Sequence, residues 1–373
     1  MTLYHLIFIV KIKNNMKVCL LGGGISSLAL AIALIRENIY VDNYSSSEDL
    51  KPSKSRTIGI SRNNVNFFNE NIINIEKLLW KLNQIEVFSD NLKNEKLLNF
   101  KNNNDQLFSI LKNLELYKTL KYELNKSKFF NKIIYKNLDL FLYNNYDLVI
   151  VFDYNNSLSI KYFSKKIEKK YNCNAYTTIF KHKKLTNNHT AIQIFTKNGP
   201  LAFLPVSDTE TSVVYSANCI LDKKDIDLKN LIEKYNNKYL IEKIDTVDNF
   251  ELQSLSLRSY YYKNILAFGD LLHRIHPLAG QGFNMTIRDI KQLLDIIRNK
   301  INLGLALDSS IGIEFEEKIK HKNFIFSNGI DFVHEFFNIE RKINSKILSK
   351  AVQFFGKIPN LNKIFVNLAD RGF

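Results

Sequence analysis

Lys17 to Leu21 reads as a buried strand, unbroken and apolar from Val18, and Gly22 to Gly24 after it predicts a tight turn. Ser26 to Arg36 then places Leu28, Ile32 and Leu34 at helical spacing, and Val41 to Tyr44 supplies a second strand, closing a βαβ unit. Asn64 to Trp80 carries helical spacing, Asn113 to Leu124 predicts another helix, and Tyr146 to Phe152 a short hydrophobic strand. Thr177 to Asn218 alternates around Gly199-Pro200 and Pro205, the pattern of an antiparallel sheet. Ile265 to Phe268 reads as a buried strand running into a loop and then a long helix from about Gly282 to Lys300. From Ile311 the pattern is helical to the end, broken at Pro359. The strands of the first sheet are thus separated by an inserted β-rich region, which predicts an α/β protein with a discontinuous nucleotide-binding domain and a second sheet domain.

Charge and cysteines narrow the classes. A formal charge of +15 invites a nucleic-acid reading. The lysines, however, are scattered among asparagines along the whole chain, so a solvated basic surface is expected and no nucleic-acid partner. Cys19, Cys173 and Cys219 have neither CxxC nor metal-ligand spacing, which supports no disulfide framework and no metal site, and places the chain in a reducing compartment. Leu3 to Val10 is apolar but too short to span a bilayer. Met16 stands immediately before the first strand, so residues 1–15 are read as a mis-assigned start and left out of the fold reasoning.

Two glycine-rich turns carry the chemistry. Strand, Gly22-Gly23-Gly24, then helix is a dinucleotide fingerprint: the glycines let the backbone approach a pyrophosphate, and the helix N-terminus supplies amides and the positive end of its dipole. Gly22, Gly24 and Ser26 are the candidate contacts. Ser27 occupies the third glycine position, and Ser45 stands where an acidic residue commonly binds a ribose hydroxyl, with Glu48 and Asp49 slightly later. The second turn is Gly269-Asp270-Leu271-Leu272-His273-Arg274-Ile275-His276-Pro277-Leu278-Ala279-Gly280-Gln281-Gly282-Phe283-Asn284, followed by Ile287-Arg288-Asp289. An aspartate ending a buried strand can accept from sugar-alcohol hydroxyls, and a Gly-Gln-Gly turn opening a helix leaves amides free for an electron-rich ring edge. His273 and His276 read as ordinary loop histidines, since two such residues without a third ligand make no metal site.

This second run resembles the second FAD motif of the class A aromatic hydroxylases, the para-hydroxybenzoate hydroxylase group, and in particular its ubiquinone-biosynthesis branch. Further landmarks follow in the expected order from residue 16 onward. Ser55-Arg56-Thr57 resembles the segment that brings an arginine near the flavin, and Gly199 to Pro205 resembles the branch's substrate-domain signature. Asp147 to Asp153 resembles the motif shared between flavin and NAD(P)H handling, with Val151 and Tyr154 where glycines are usual. Leu271-Leu272 replace a usual alanine pair, which either narrows the pocket or repacks the helix.

The resemblance implies a Rossmann-like FAD-binding domain (16–80, 105–160 and 255–305), an inserted antiparallel substrate domain (81–104 and 161–254) and C-terminal helices (306–373). It implies FAD as cofactor, held by Gly269 and Asp270 at the ribitol, by Gly280, Gln281, Gly282, Phe283 and Asn284 along the pyrimidine side, and by Asp153 in the intermediate motif. Pro277 would line the ring near its reacting carbon and Arg56 would orient flavin or substrate; these two are the catalytic candidates. The implied reaction is hydroxylation of a polyprenylated phenol in ubiquinone biosynthesis with NAD(P)H and O2, the protein supplying placement and dryness. Three rivals stay open. A flavin-dependent halogenase carries a Trp-rich motif where this chain has only Trp80. A prenyl-reductase-type FAD oxidoreductase also joins flavin to prenyl chains. A catalytically idle FAD-binding subunit of a ubiquinone-synthesis assembly would suit the altered positions Ser45, Val151 and Tyr154. Lys342 to Phe373 combines lysines with Phe354, Phe355 and Phe365, suiting either an interfacial helix or one packed on the core. The expected location is cytoplasmic, with peripheral attachment to the inner face of the membrane.

Overall fold

The computed structural model describes residues 16–46, 52–92, 95–101, 106–139, 142–218, 226–275, 281–343, 350 and 353. In chain order, β1 (Lys17–Leu21), α1 (Ile25–Arg36) and β2 (Tyr40–Ser45) form the opening βαβ unit. β3 (Thr57–Ser61) runs into α2 (Arg62–Asn71), followed by β4 (Trp80–Leu82), β5 (Gln84–Ser89), β6 (Lys96–Lys101) and β7 (Phe108–Lys112). α3 (Asn113–Leu124), β8 (Phe130–Ile134), β9 (Leu148–Val151) and α4 (Ser157–Tyr162) return the chain to the first sheet. Then come β10 (Lys166–His182), β11 (Thr190–Thr196), β12 (Gly199–Pro205), β13 (Glu210–Asn218), α5 (Leu228–Tyr235), β14 (Ile241–Ile244) and β15 (Asp248–Leu257). β16 (Tyr261–Tyr262), β17 (Ile265–Ala267), β18 (His273–Arg274), α6 (Gln281–Asn302) and α7 (Ser310–Ile343) complete the described chain.

The first sheet has the order β16-β17-β9-β1-β2-β8. β1 pairs in parallel with β2 on one side and β9 on the other, so strand order reverses at β1. In such sheets a ligand crevice opens at the carboxyl ends of the strands where the order switches. Four sequence-predicted segments leave those ends: Gly22 after β1, Ser45 at the end of β2, Asp153 after β9 and Gly269 after β17. The unbroken apolar runs of β1 and β9 are explained by burial on both faces, with Val18 to Leu21 and Val149 to Val151 fully covered. α1 buries Ser27 to Leu34. Every residue of that helix core is small or apolar, as its position between β1, α3 and α6 requires.

The inserted region forms a larger sheet ordered β18-β15-β10-β13-β12-β11-β5-β6, with β14 on β10. Its pairs from β10 to β15 are antiparallel, as the alternation predicted, but β11 pairs with β5 in parallel. β3-β7-β4 form a separate three-stranded sheet.

The expected helix from Asn64 to Trp80 is shorter: α2 ends at Asn71, and Trp80 begins β4. Asn69 and Asn74 explain the stop. Their side-chain oxygens accept from the Ile75 and Glu76 amides, offering the backbone a turn in place of the helix ladder. Leu271 and Leu272 repack the interior: both are buried in the main core.

Candidate active site

The two glycine turns open on one cavity of about 1750 Å³, which also takes in the inner face of the large sheet. A site for one small molecule occupies roughly 300–1,000 Å³, so a dinucleotide and a second molecule fit together. Gly22 and Gly269 show why neither turn tolerates a side chain. Gly22 has φ +143, and a Cβ there would lie 2.9 Å from the Phe152 Cβ; Gly269 has φ +60, and its Cβ would lie 3.1 Å from the Phe152 ring and 3.6 Å from the Ser26 Cβ. The same measurement places the second turn against the first residues of α1, although about 245 positions separate them in the chain.

No side chain caps α1 at Gly24, so its first-turn amides stay open toward the cavity. The loop itself is held from behind. Asn43 on β2 is buried, and its Nδ2 donates to the Gly22 carbonyl (2.8 Å) and to Ser27 Oγ (2.9 Å). Serine at the third glycine position is thus matched by an asparagine that satisfies its hydroxyl, a compensation between two strand-helix neighbours.

Of the predicted contacts, Gly22, Gly24, Ser26, Ser45, Arg56, Asp153, Asp270, Gln281, Gly282 and Phe283 line this cavity together. Gly269 packs directly behind the lining. Asn284 is fully buried and spent elsewhere. Its side chain accepts from the Ser61 amide (2.9 Å) and from Asn64 Nδ2 (2.8 Å) and donates to the Gly59 carbonyl (2.9 Å), stapling the start of α6 to β3 and α2. Pro277 and Gly280 lie outside the described residues, as does His276.

Arg56 is positioned by the large sheet. Ser53 and Ser55 both donate to Asp248 Oδ2, the latter at 2.6 Å, and Ser55 Oγ also meets Thr177 Oγ1 at 2.8 Å. One residue on, the Arg56 guanidinium lies 5.1 Å from the Phe250 ring centroid. The two serine hydroxyls hold the Asp248 carboxyl below the usual carboxylate range.

Two features escaped the sequence reading. His273, expected as a loop histidine, lies on β18, is buried, and pairs with Asp289 on α6. Asn113, at the start of α3, lines the cavity. Its Oδ1, like Gln281 Oε1, is buried with no hydrogen-bond partner among the described residues. An unfilled buried acceptor costs about 1–3 kcal/mol, so these two oxygens call for donors on a bound molecule. Much of the remaining wall is apolar: Ile85, Val87, Leu98 and Phe100 from β5 and β6 of the large sheet, Leu82 of β4, and Phe332 and Phe336 of α7.

No family model matches the chain. Among curated proteins, 3-demethoxyubiquinol 3-hydroxylase of Escherichia coli (strain K12) is 30% identical over 154 residues, 39% of each chain. The mitochondrial ubiquinone biosynthesis monooxygenase of Drosophila melanogaster is 25% identical over 219 residues, 48% of this chain and 46% of that protein. The matched stretch therefore spans less than half the length of these relatives. Among solved structures, p-nitrophenol 4-monooxygenase PnpA from Pseudomonas putida DLL-E4 superposes with a TM-score of 0.73 at 12% identity, covering 96% of this chain and 99% of that one. Klebsiella pneumoniae HpxO complexed with FAD and uric acid gives 0.72 at 13% identity, covering 95% and 97%. By sequence the chain is related to the ubiquinone-biosynthesis hydroxylases, and its fold is that of the class A FAD monooxygenases.

Proposed function

We propose that the chain is an FAD-dependent monooxygenase that hydroxylates the aromatic ring of a polyprenylated phenol in ubiquinone biosynthesis, with NAD(P)H and O2 as co-substrates. The observation that carries this reading is the convergence of both glycine turns on one cavity that also holds two unfilled buried acceptors. Bound FAD would supply the oxygen-activating chemistry, for which the side chains present offer no substitute. Gly22, Gly24 and Ser26 would hold its pyrophosphate with open helix amides, and Asp270 its sugar alcohol. Gln281, Gly282 and Phe283 would flank the ring system, joined by Pro277 and Gly280 as the resemblance implies.

The chain's own contribution is placement and exclusion of water. The apolar wall from Leu82 to Phe100 suits a prenyl-bearing ring, since each buried methylene gains about 0.8 kcal/mol. Arg56, fixed by the serine-aspartate cluster, would orient flavin or substrate where the two sheets meet. The E. coli relative, named for a ubiquinol intermediate, and the Drosophila relative, named for ubiquinone biosynthesis, support this substrate class.

A lipid-borne substrate calls for attachment at the membrane face. Among the described residues no helix is long and apolar enough to cross a membrane. Most of the Lys342 to Phe373 stretch falls outside the described residues. Flotation with anionic liposomes tests the attachment, and protein that stays with the soluble fraction argues against it.

The test of function is purification with bound FAD, followed by NAD(P)H oxidation and O2 uptake with a short-chain prenylated phenol. The expected product is one oxygen heavier than the phenol. Bound FAD without dinucleotide oxidation in the presence of any such phenol would instead favour the idle-subunit reading, to which Val151 and Tyr154 lend support.

A further inference from the structure

Tyr154 follows β9 of the first sheet and Arg274 lies on β18 at the edge of the large one, yet their side chains meet at the cavity wall. The Arg274 guanidinium carbon is 5.1 Å from the Tyr154 ring centroid. Tyr154 is 42% exposed, which puts the pair at the rim, where the cavity meets solvent. Among the described residues Arg274 takes part in no ion pair or hydrogen bond besides the strand pairing of its backbone; its only side-chain contact of that kind is the ring. The neighbouring Asp153 carboxylate accepts from the Asn155 amide. A guanidinium has five donors in a planar fork suited to phosphate, and stacking on an aromatic face holds that fork in place while leaving its edge open.

We propose that Arg274, propped on Tyr154, docks the pyrophosphate of the nicotinamide dinucleotide that reduces the flavin. The proposal rests on the monooxygenase reading above. In that step the dinucleotide would give up a hydride, two electrons with one proton, to FAD bound in the cavity and leave as its oxidised form. Two observations favour the dinucleotide over the phosphates of FAD. The flavin's phosphates would already have the uncapped first turn of α1 and the Gly22 to Gly24 backbone. Position at the solvent rim suits a ligand that must enter and leave at every turnover.

The test compares FAD-loaded wild type with R274Q and Y154L. Steady-state NADH and NADPH oxidation is measured alongside direct titration of dinucleotide fluorescence and, separately, FAD affinity. R274Q is expected to weaken dinucleotide binding and raise its KM by about tenfold or more, as loss of a charge-assisted contact does. Its kcat should change less than about twofold and its FAD affinity should hold, as expected of ground-state binding alone. Y154L should shift dinucleotide binding in the same direction by a smaller factor. Added salt should weaken the dinucleotide in wild type more than in R274Q. Unchanged dinucleotide affinity in R274Q overturns the proposal, and so does a loss of FAD affinity in its place. Wild-type protein that binds no FAD would defeat the flavin reading itself, a result distinct from FAD-loaded protein indifferent to R274Q.

Discussion

His273 Nε2 lies 2.5 Å from Asp289 Oδ2, and both side chains are almost wholly buried. Asn323 of α7 donates to the other carboxylate oxygen at 3.2 Å. The contact therefore joins β18, α6 and α7 at one point, directly behind the turn that begins at Gly269.

Removing Asp289 should strip the buried imidazole of its carboxylate partner. D289A is expected to cost about 2–4 kcal/mol in denaturant unfolding. H273L/D289L should cost less than the sum of the two single variants, because neither partner is then left stranded. A D289A variant within about 0.5 kcal/mol of wild type would show that the pair contributes little.

Asp248 gives the Arg56 loop a dependence on pH. Its folded pKa lies below the ordinary value because Ser53 and Ser55 donate to the ionised form. For a depressed carboxyl the stabilising contribution is fully present above the unfolded pKa, about 3.9, and is lost as pH falls through the lower folded value. The latch should thus be intact at neutral pH and released only in acid. D248N should increase protease cleavage within residues 52–56 at pH 7, and the difference from wild type should vanish toward pH 3. Because the carboxyl is only partly buried, the effect is expected on local order far more than on global stability. Equal cleavage of the two proteins at pH 7 would remove Asp248 from this role.

Asn43 should matter to the dinucleotide loop although it does not line the main cavity. N43A deletes both donors behind Gly22 and strands the Ser27 hydroxyl, at an expected cost of about 1–3 kcal/mol. FAD affinity should fall with it, and S27A/N43A should recover part of the stability. Calorimetric melting of the two variants, with FAD titration, checks both statements; an unaltered N43A melting curve would contradict them.

Periodicity read from the chain located the opening βαβ unit, α3, the antiparallel alternation and α6 to within a few residues, because each is set by local spacing of apolar side chains. It overran α2 because helical spacing continues past Asn71, while the stop depends on where the Asn69 and Asn74 side chains turn. Both glycine turns were visible as motifs, and ten of the named residues do face one cavity. Asn284 could not be told from its neighbours on α6. On a helix only packing against β3 decides which side of the first turn faces the ligand and which the core.

Local amino-acid order determined the opening βαβ unit, α3, α6 and where the backbone can approach a phosphate, since φ freedom at glycine and apolar spacing are properties of short stretches. Only the tertiary structure brought Asn43 to Ser27, His273 to Asp289, Asp248 to Ser55 and Tyr154 to Arg274. Partners so distant along the chain meet through strand order and helix docking, and no local pattern encodes which polar side chains will face each other once water is excluded.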